Sequence, residues 1–230
     1  MDAIILAAGK GTRLKPLTDT IPKPLIPIHG RGTLLRTLHL LPSQVTRVIL
    51  VVGYLSDKIR AAVGDEWNGR PVVYIQMDVL NGTGGALRAV RGSIVSDRFL
   101  VMNGDDLYAR EDIERLLSHE RGILYARRTI LKPGDAWILN GSRVHSLALG
   151  TVGEISLINI GVYLLGHEWF ETTPVLSPGK TDEWSLPHPI AQLADRYPYD
   201  AVEANFWQPC GTFEEIAEAE RILQEKEKSS

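Results

Sequence analysis

The 230-residue chain is 44% hydrophobic and 23% charged with a formal net charge of −3, so it can fold around a full-sized core and is not disordered. One cysteine excludes a disulfide framework and a cysteine-based zinc site. The near balance of 25 basic and 28 acidic residues argues against a nucleic-acid surface. With no signal-peptide pattern and no apolar run of membrane-spanning length, we expect a cytoplasmic protein with no nucleic-acid or membrane partner.

The first 130 residues alternate strand and helix patterns. Residues 3–8 form an apolar run that ends at Gly9 and predicts a strand buried on both faces. Residues 9–32 are rich in Gly and Pro without a helical period, which predicts a long, ordered and functional loop. Further patterns predict strands at 45–52, 72–76, 99–102 and 123–127, and helices at 34–41, 54–63, 84–90 and 111–119. This alternation predicts an α/β fold with a mostly parallel sheet between helices.

The pattern changes after residue 136. Turn residues at 140–142 and an apolar run at 155–165 indicate antiparallel strands, followed by helices near 167–172 and 186–196. The residues Thr212-Phe213-Glu214-Glu215 form a capping box that opens a final helix with Phe213, Ile216 and Leu223 on one side. Without an internal repeat or a linker, the chain is predicted to be a single domain.

Two common phosphate-binding motifs are excluded. The glycine-rich segment 6–14 has Leu14 where a dinucleotide fingerprint needs its third glycine, and four prolines between residues 15 and 28 prevent a crossover helix. The segment 179–181 begins like the end of a P-loop, but Pro174 stands where the first glycine belongs. An NAD-dependent oxidoreductase and a P-loop enzyme are therefore disfavoured.

The same glycine-rich segment carries a cluster of basic residues, Lys10, Arg13, Lys15 and Lys23. A glycine turn lets backbone N–H groups approach anionic oxygens, and a polyphosphate would satisfy both these groups and the cations. The alternative is a solvated basic loop. The position after a buried first strand favours the ligand, because open α/β sheets bind ligands at that edge.

The segment 5–14, followed by Pro16-Leu17-Thr18 and by 22–28, closely resembles the signature of the sugar-1-phosphate nucleotidyltransferases. Further matches follow in the same order at 82–87, 103–105, 159–163 and 207–212. The resemblance implies the nucleotide-diphospho-sugar transferase fold, a Rossmann-like three-layer α/β/α arrangement with a mixed, mostly parallel central sheet. It divides the single domain into a nucleotide-binding part at about 1–130, a sugar-phosphate-binding part at about 131–212 and a C-terminal helix at 213–228.

The resemblance also implies the activity, which is transfer of a nucleoside monophosphate from a nucleoside triphosphate to a sugar 1-phosphate with release of pyrophosphate. Its catalytic residues would be Arg13 on the triphosphate, Lys23 near the α-phosphate and Asp105 as the ligand of Mg²⁺, a hard cation that prefers oxygen. Asp106 is expected in a turn or supporting role.

The binding residues implied by the resemblance fall into two groups. The nucleotide-binding group is Leu6, Ala7, Ala8, Gly9, Gly11, Thr12, Arg13, Gln76, Gly82, Thr83, Gly84, Asn103 and Gly104. The sugar-phosphate-binding group is Lys23, Asn159, Gly161 and Glu183.

The sequence departs from the family pattern at two places. Pro209 occupies the position of an aspartate that serves as a second metal ligand, so the metal rests on Asp105 alone with phosphates and water, or Gln208, Glu203 or Asn205 substitutes, or activity is reduced. The family's Glu-Lys-Pro motif is not recognisable in residues 144–155.

These departures leave two alternative functions open. One is a cytidylyltransferase acting on a non-sugar phosphate, such as phosphocholine or an inositol phosphate. The other is a catalytically impaired, nucleotide-binding regulatory protein. The base and the sugar are not determined by the sequence, and the expected assembly is a monomer or a homodimer.

Overall fold

The structure, a computed structural model, describes residues 1–131 and 134–228. Within these residues the strands are β1 (Asp2–Ala7), β2 (Arg47–Val52), β3 (Glu66–Trp67), β4 (Arg70–Gln76), β5 (Arg98–Asn103), β6 (Leu107–Tyr108), β7 (Gly122–Thr129), β8 (Asp135–Asn140), β9 (Arg143–Leu149), β10 (Ile155–Gly166), β11 (Asp200–Glu203) and β12 (Trp207–Gln208). The α-helices are α1 (Thr33–Leu40), α2 (Ser56–Val63), α3 (Gly82–Ala89), α4 (Arg110–Leu117), α5 (Pro187–Leu193) and α6 (Phe213–Lys228).

Ten of these strands form one sheet in the order β3-β4-β2-β1-β5-β10-β7-β11-β9-β8. Strands β4, β2, β1 and β5 run parallel, as does the pair β7 and β11, whereas the other pairs are antiparallel. Strand β8 also pairs with β10 at Ala136 and Ile158, so this half of the sheet curls back on itself. The mixed α/β sheet is confirmed, and its antiparallel half is larger than the sequence pattern suggested.

The core lies on both faces of β1, whose six residues are all buried as predicted. One face, which includes Ile5, packs against the apolar sides of α1, α2 and α4. The other face, which includes Ile4, packs against α3 and α5. Burial on both faces explains why β1, β2 and β5 read as continuous apolar runs instead of alternating patterns. The three-layer arrangement is thereby confirmed.

The last helix, α6, begins with the predicted capping box, because the Glu215 N–H donates to Thr212 Oγ1 at 3.2 Å. Its packed side differs from the prediction. Ile216, Ala219 and Leu223 contribute to a small core with Ile28, Leu107 and Cys210, whereas Phe213 is 45% exposed. A cap fixes where a helix begins, but the neighbouring surface decides which side is buried.

Several short elements had no sequence prediction. Strands β3, β6, β11 and β12 have two to four residues each, too few for a periodic pattern. The segment predicted as a helix near 167–172 is a 3-10 helix at His167–Glu171, and the next helix is limited to Pro187–Leu193. Within residues 1–131 and 134–228, none of the helices has the length and apolar character needed to cross a membrane.

Candidate active site

The candidate site lies where the parallel strands β1 and β5 end side by side. Leu6 pairs with Asn103 at the last register position, and the Gly104 N–H donates to the Leu6 carbonyl at 3.0 Å. A Cβ at Gly104 would lie 3.2 Å from that carbonyl oxygen, so glycine suits this close approach. A cavity of about 480 Å³ opens over this edge. Its lining includes Leu6, Ala8, Gly9, Gly11, Thr12, Gly82, Thr83, Asn103, Asp105 and Glu183.

The long loop after β1 is ordered by 3-10 turns at Thr12–Leu14, Leu17–Asp19 and Lys23–Leu25. Gly11 has a φ of +63°, and its carbonyl accepts a hydrogen bond from Thr18 Oγ1 at 3.0 Å. A Cβ on Gly11 would lie 2.8 Å from the Cβ of Lys23. The loop therefore folds back on Gly11 and brings Lys23 to the cavity edge.

Lys23 and Asp105 form an ion pair through Nζ and Oδ2. The Lys23 side chain is only 11% exposed and is framed by two prolines, whereas the Asp105 side chain is 34% exposed and lines the cavity. Burial acts to lower the pKa of Lys23, but the carboxylates of Asp105 and Asp106 outweigh it and raise the pKa above its ordinary value. Lys23 is therefore a cation at neutral pH.

The side chain of Arg13 extends from the loop after β1 to the segment just before α6. A Cβ added at Gly211 would lie 2.8 Å from Arg13 Nη2 and 3.0 Å from Glu215 Oε2, so the guanidinium lies directly over this glycine. The charge of Arg13 also acts on Lys23, where it lowers the lysine's pKa. The predicted catalytic residues Arg13, Lys23 and Asp105 are thus gathered at one edge of the sheet.

Asp106 forms hydrogen bonds to the segment before α6 and does not line the cavity. Its carboxylate accepts hydrogen bonds from Trp207 Nε1 at 3.0 Å and from the Cys210 N–H at 3.2 Å. Burial and the neighbouring carboxylate of Asp105 raise the pKa of Asp106 to about 7, against the opposing effect of Lys23. The supporting role expected for Asp106 is therefore to tie the segment before α6 to the end of β5.

None of the three side chains that could replace the metal-binding carboxylate missing at Pro209 lines the cavity. Gln208 is buried, and its Nε2 donates to the carbonyls of Pro209 and Glu215 at 3.0 and 3.3 Å. Glu203 pairs with Arg127 at 3.3 Å, and the exposed Asn205 forms no side-chain hydrogen bond among the described residues. Across the described part of the chain, no three His, Cys, Asp or Glu side chains are grouped so that they could hold a metal ion.

The glycine motif at the start of α3 packs against a distant segment of the chain. A Cβ at Gly82, whose φ is +83°, would lie 2.5 Å from the Trp184 carbonyl oxygen, and one at Gly84 would lie 2.4 Å from that of Ser185. The Gly84 N–H donates to the Trp184 carbonyl at 2.9 Å. The small residues thus let two segments meet, which brings Glu183 to the cavity.

Only part of the predicted nucleotide-binding group lies on the cavity wall. Gly82 and Thr83 line the cavity, but Gln76 is exposed, donates to the Gly53 carbonyl at 3.4 Å and is not part of this wall. Leu80 lines it although no motif includes this residue, and Ala86 lines it although only its 82–87 motif, and not Ala86 itself, was predicted to bind nucleotide. Apolar residues of that kind carry no chemical signal in a sequence, so only the fold reveals them.

The predicted sugar-side residues Asn159 and Gly161 lie on a bulge of β10, where its register against β7 shifts. A Cβ on Gly161, whose φ is +75°, would lie 2.0 Å from Asn103 Nδ2, so the bulge lies directly against the end of β5. Asn159 Oδ1 accepts a hydrogen bond from the Tyr163 hydroxyl at 2.9 Å. Glu183 pairs with Lys180 at 3.0 Å.

Comparison with known proteins places these residues in context. The family model described as nucleotidyl transferase matches residues 2–123, which is more than half of the chain. The bifunctional protein GlmU of Methanococcus maripaludis is 31% identical over 219 residues, which cover 92% of this chain and 51% of GlmU. The chain therefore spans about half the length of the first curated relatives that it matches.

Two solved structures are similar over nearly the whole chain. HddC from Yersinia pseudotuberculosis, complexed with GMP-PN, has a TM-score of 0.73 at 27% identity and covers 96% of this chain and 99% of HddC. A putative glucose-1-phosphate thymidylyltransferase from Bacillus anthracis has a TM-score of 0.82 at 20% identity, covering 96% and 94%. These likenesses confirm the fold that the sequence resemblance implies.

Proposed function

The chain belongs to the nucleotidyl transferase family, and from that premise we propose that it transfers a nucleoside monophosphate from a nucleoside triphosphate to a sugar 1-phosphate, releasing pyrophosphate. The observation that carries this proposal is the ion pair of Lys23 with Asp105, which lines a cavity of about 480 Å³, together with the charge of Arg13 that acts on Lys23. The edge formed by the carboxyl ends of parallel strands is where α/β sheets bind ligands.

The chemistry suits a site without a general base. A phosphate oxygen of the acceptor is already ionised near neutral pH, so it attacks the α-phosphorus of the triphosphate directly. The new bond joins that oxygen to the α-phosphorus, the bond from the α-phosphorus to the bridging oxygen breaks, and pyrophosphate leaves with the electron pair. No proton has to move in this step. The barrier is electrostatic, because one anion attacks another, and cations held in position lower it.

Each group of residues has a part in this reaction. Lys23, which stays protonated, lies against the α-phosphate and the acceptor phosphate, while the planar guanidinium of Arg13 binds the oxygens of the departing pyrophosphate. The backbone of the 9–12 loop approaches the phosphates, and Gly82 and Thr83 face the nucleoside. Asn159, Gly161 and Glu183 belong to the acceptor side.

A magnesium ion fits the donor chemistry of Asp105. Its carboxylate faces the cavity and is partly exposed, and Mg²⁺ is commonly held by one or two carboxylates together with phosphate oxygens and water. Asp105 would hold the ion, and Asp106 would not, because both of its oxygens accept hydrogen bonds from the 207–210 segment. When bound, the ion would neutralise phosphate charge. The ammonium group of Lys23 could then bind either the Asp105 carboxylate or the phosphates.

A substrate matrix tests the proposal. Five nucleoside triphosphates are paired with a panel of sugar 1-phosphates, myo-inositol 1-phosphate and phosphocholine, and pyrophosphate release is measured with Mg²⁺ and with EDTA. We expect release with at least one sugar 1-phosphate and its loss in EDTA. Release only with phosphocholine or inositol phosphate would favour the other acceptor class. Calorimetric binding of a nucleotide without any turnover would instead identify an impaired, regulatory protein.

A further inference from the structure

A second cavity, of about 170 Å³, lies between α1, β6 and α6, and it shares no lining residue with the main cavity. Four segments that are distant in sequence form its wall, which consists of Arg36, Thr37, Leu40, Asp106, Leu107, Tyr108, Phe206, Leu223 and Lys226. We call it the α1–α6 cavity. Since an apolar cavity of about 150 Å³ can hold a benzene molecule, this one has room for a single ring with its substituents.

Most of the wall of the α1–α6 cavity is apolar. Leucine and aromatic side chains supply five of its residues, which are Leu40, Leu107, Tyr108, Phe206 and Leu223. The hydroxyl of Tyr108 is already used, because it donates to the Ile160 carbonyl at 3.0 Å. Two aromatic rings and three branched side chains pack well against a flat apolar ring, so the wall suits a ligand with an aromatic or similar body.

The buried part of the wall carries a hydroxyl group without a partner. Thr37 is 1% exposed, and within residues 1–131 and 134–228 its Oγ1 has no hydrogen bond. Other polar groups of the wall are bonded, because both carboxylate oxygens of Asp106 accept hydrogen bonds and Arg36 donates to two backbone carbonyls. Buried hydroxyl groups normally have a partner, so Thr37 is suited to a polar substituent of a ligand.

The exposed part of the wall is positively charged. Lys226 is exposed, and its Nζ lies 3.5 Å from the centre of the Phe206 ring. With Arg36, the wall has two cations against the single carboxylate of Asp106. An anionic group of a ligand would therefore lie near Lys226, at the end of the cavity that meets solvent, while an uncharged polar group lies at Thr37.

The α1–α6 cavity is connected to the main site through the segment 206–211. Asp106 lines the α1–α6 cavity, and its carboxylate accepts hydrogen bonds from Trp207 and Cys210 of that segment. Gly211, over which the Arg13 guanidinium lies, follows directly. Phe206, at the other end of the segment, is a wall residue too. A ligand in this cavity would contact both Phe206 and Asp106 and would thereby hold in place the segment on which Arg13 rests.

We propose that the α1–α6 cavity binds a single-ring organic acid, with a polar substituent at Thr37 and its anionic group near Lys226, and that this ligand strengthens nucleotide binding through the segment 206–211. The site is separate from those of the nucleotide and the acceptor, so the inference goes beyond the proposed function. Because both ligands favour the same arrangement of that segment, each tightens the binding of the other by the same factor.

Titration with 4-hydroxybenzoate, followed by NMR of the protein, tests the site. Benzoate lacks the hydroxyl group of this probe, and 4-hydroxybenzyl alcohol lacks its charge. We expect a Kd on the order of 1 mM for 4-hydroxybenzoate and about threefold or more weaker binding of the other two compounds. Thr37→Val should remove the preference over benzoate, and Lys226→Gln the preference over the alcohol. Lys228→Gln, at the exposed end of α6, is the matched control and should keep both preferences.

A second titration measures the coupling. With about 10 mM 4-hydroxybenzoate present, the Kd of whichever of ATP, GTP, CTP, UTP and dTTP binds best should fall by about threefold or more. Leu223→Phe, which adds a ring to the wall, should weaken binding of the probe and with it this effect.

Three results would overturn the inference: neither acid binds at 10 mM, Thr37→Val and Lys226→Gln bind both acids as the wild type does, or the bound probe leaves the nucleotide Kd unchanged. None of these measurements needs turnover, so a substrate matrix without pyrophosphate release rejects the proposed function alone. If no nucleotide binds, the proposed function fails as well, and the preferences lost in Thr37→Val and Lys226→Gln decide about the cavity. Circular dichroism identifies a misfolded Leu223→Phe protein, in which case the other two variants give the result.

Discussion

The ammonium group of Lys23 forms an ion pair with the carboxylate of Asp105, and this contact joins the loop after β1 to the residues after β5. The pair holds a cation and a carboxylate at the same edge of the sheet before any ligand binds. A nucleotide with its metal ion brings both a polyanion for Lys23 and a cation for Asp105. When the nucleotide binds, Lys23 would therefore exchange Asp105 for the phosphates, and Asp105 would exchange Lys23 for the metal ion.

Replacement of Lys23 tests that view. Lys23→Ala is expected to lower kcat by about 10²- to 10³-fold, because it removes a positioned cation from the reacting phosphate. Lys23→Arg should recover little, because the side chain is only 11% exposed and a planar guanidinium does not fit the place of a compact ammonium. Pyrophosphate release under saturating substrates measures both. Lys228→Ala, at the exposed end of α6, is the control, and a Lys23→Ala enzyme as fast as this control would refute the role.

Local patterns in the sequence were enough to predict the parallel half of the fold. The apolar runs of β1, β2 and β5 are buried on both faces, and a long loop with many prolines and glycines cannot be a helix, so both were recognisable residue by residue. Arg13, Lys23 and Asp105 were expected at one edge of the sheet, because the carboxyl ends of neighbouring parallel strands lie side by side.

Contacts between distant segments were not predictable in the same way. Gly82 and Gly84 are small because the carbonyls of Trp184 and Ser185 lie against them, about 100 residues away along the chain. No pattern within the 82–87 motif records that neighbour. Likewise, the position of Asp135 across from Asn159 depends on the curled pairing of β8 with β10, which no local pattern records.

A substitution at Gly211 tests the role of Arg13 without replacing the arginine. In Gly211→Ala the new Cβ would lie 2.8 Å from Arg13 Nη2, so the guanidinium must move. Because the crowded atoms are ends of flexible side chains, we expect the free energy of unfolding to change by less than about 1 kcal/mol. The KM for the nucleotide should rise by about tenfold, since a misplaced Arg13 loses its hydrogen bonds to phosphate. Gly92→Ala, where a Cβ meets nothing within 4 Å, is the control, and equal nucleotide KM values in the two variants would count against this role of Arg13.

The buried pair of Asp2 and Arg47 predicts a pH-dependent stability away from the site. Asp2 is 1% exposed and accepts hydrogen bonds from Arg47 Nε at 2.8 Å and from the Val95 N–H at 2.8 Å. Burial acts to raise the pKa of Asp2, but these hydrogen bonds and the arginine charge lower it below its ordinary value. A lowered pKa in the folded state means that the carboxylate stabilises the fold above the ordinary pKa of 3.8, and that this contribution is lost as the pH falls through the folded-state pKa.

The variant Asp2→Asn measures that contribution. At pH 7 we expect it to lower the free energy of unfolding by about 3–5 kcal/mol, because it leaves a partly buried arginine without its carboxylate. The difference from wild type should shrink as the pH falls below the ordinary value of 3.8 and through the lower folded-state pKa, where the wild-type carboxyl becomes neutral too. Urea unfolding at a series of pH values follows this, with Asp97→Asn as the exposed control. A difference of the same size at pH 7 and pH 3 would contradict the assignment.

Gly161 and Gly141 separate the strain of a positive φ from the cost of a contact. Both have a positive φ, +75° and +62°, but a Cβ at Gly161 would lie 2.0 Å from Asn103 Nδ2, whereas one at Gly141 meets nothing within 4 Å. Gly141→Ala should therefore cost only the backbone strain, about 1–2 kcal/mol. Gly161→Ala should cost about 1–3 kcal/mol more, because it pushes Asn103 out of place at the edge of the cavity. Urea unfolding measures both costs, and the acceptor KM should rise only in Gly161→Ala. If the two variants lose the same stability and keep the same KM, the bulge of β10 does not position the end of β5.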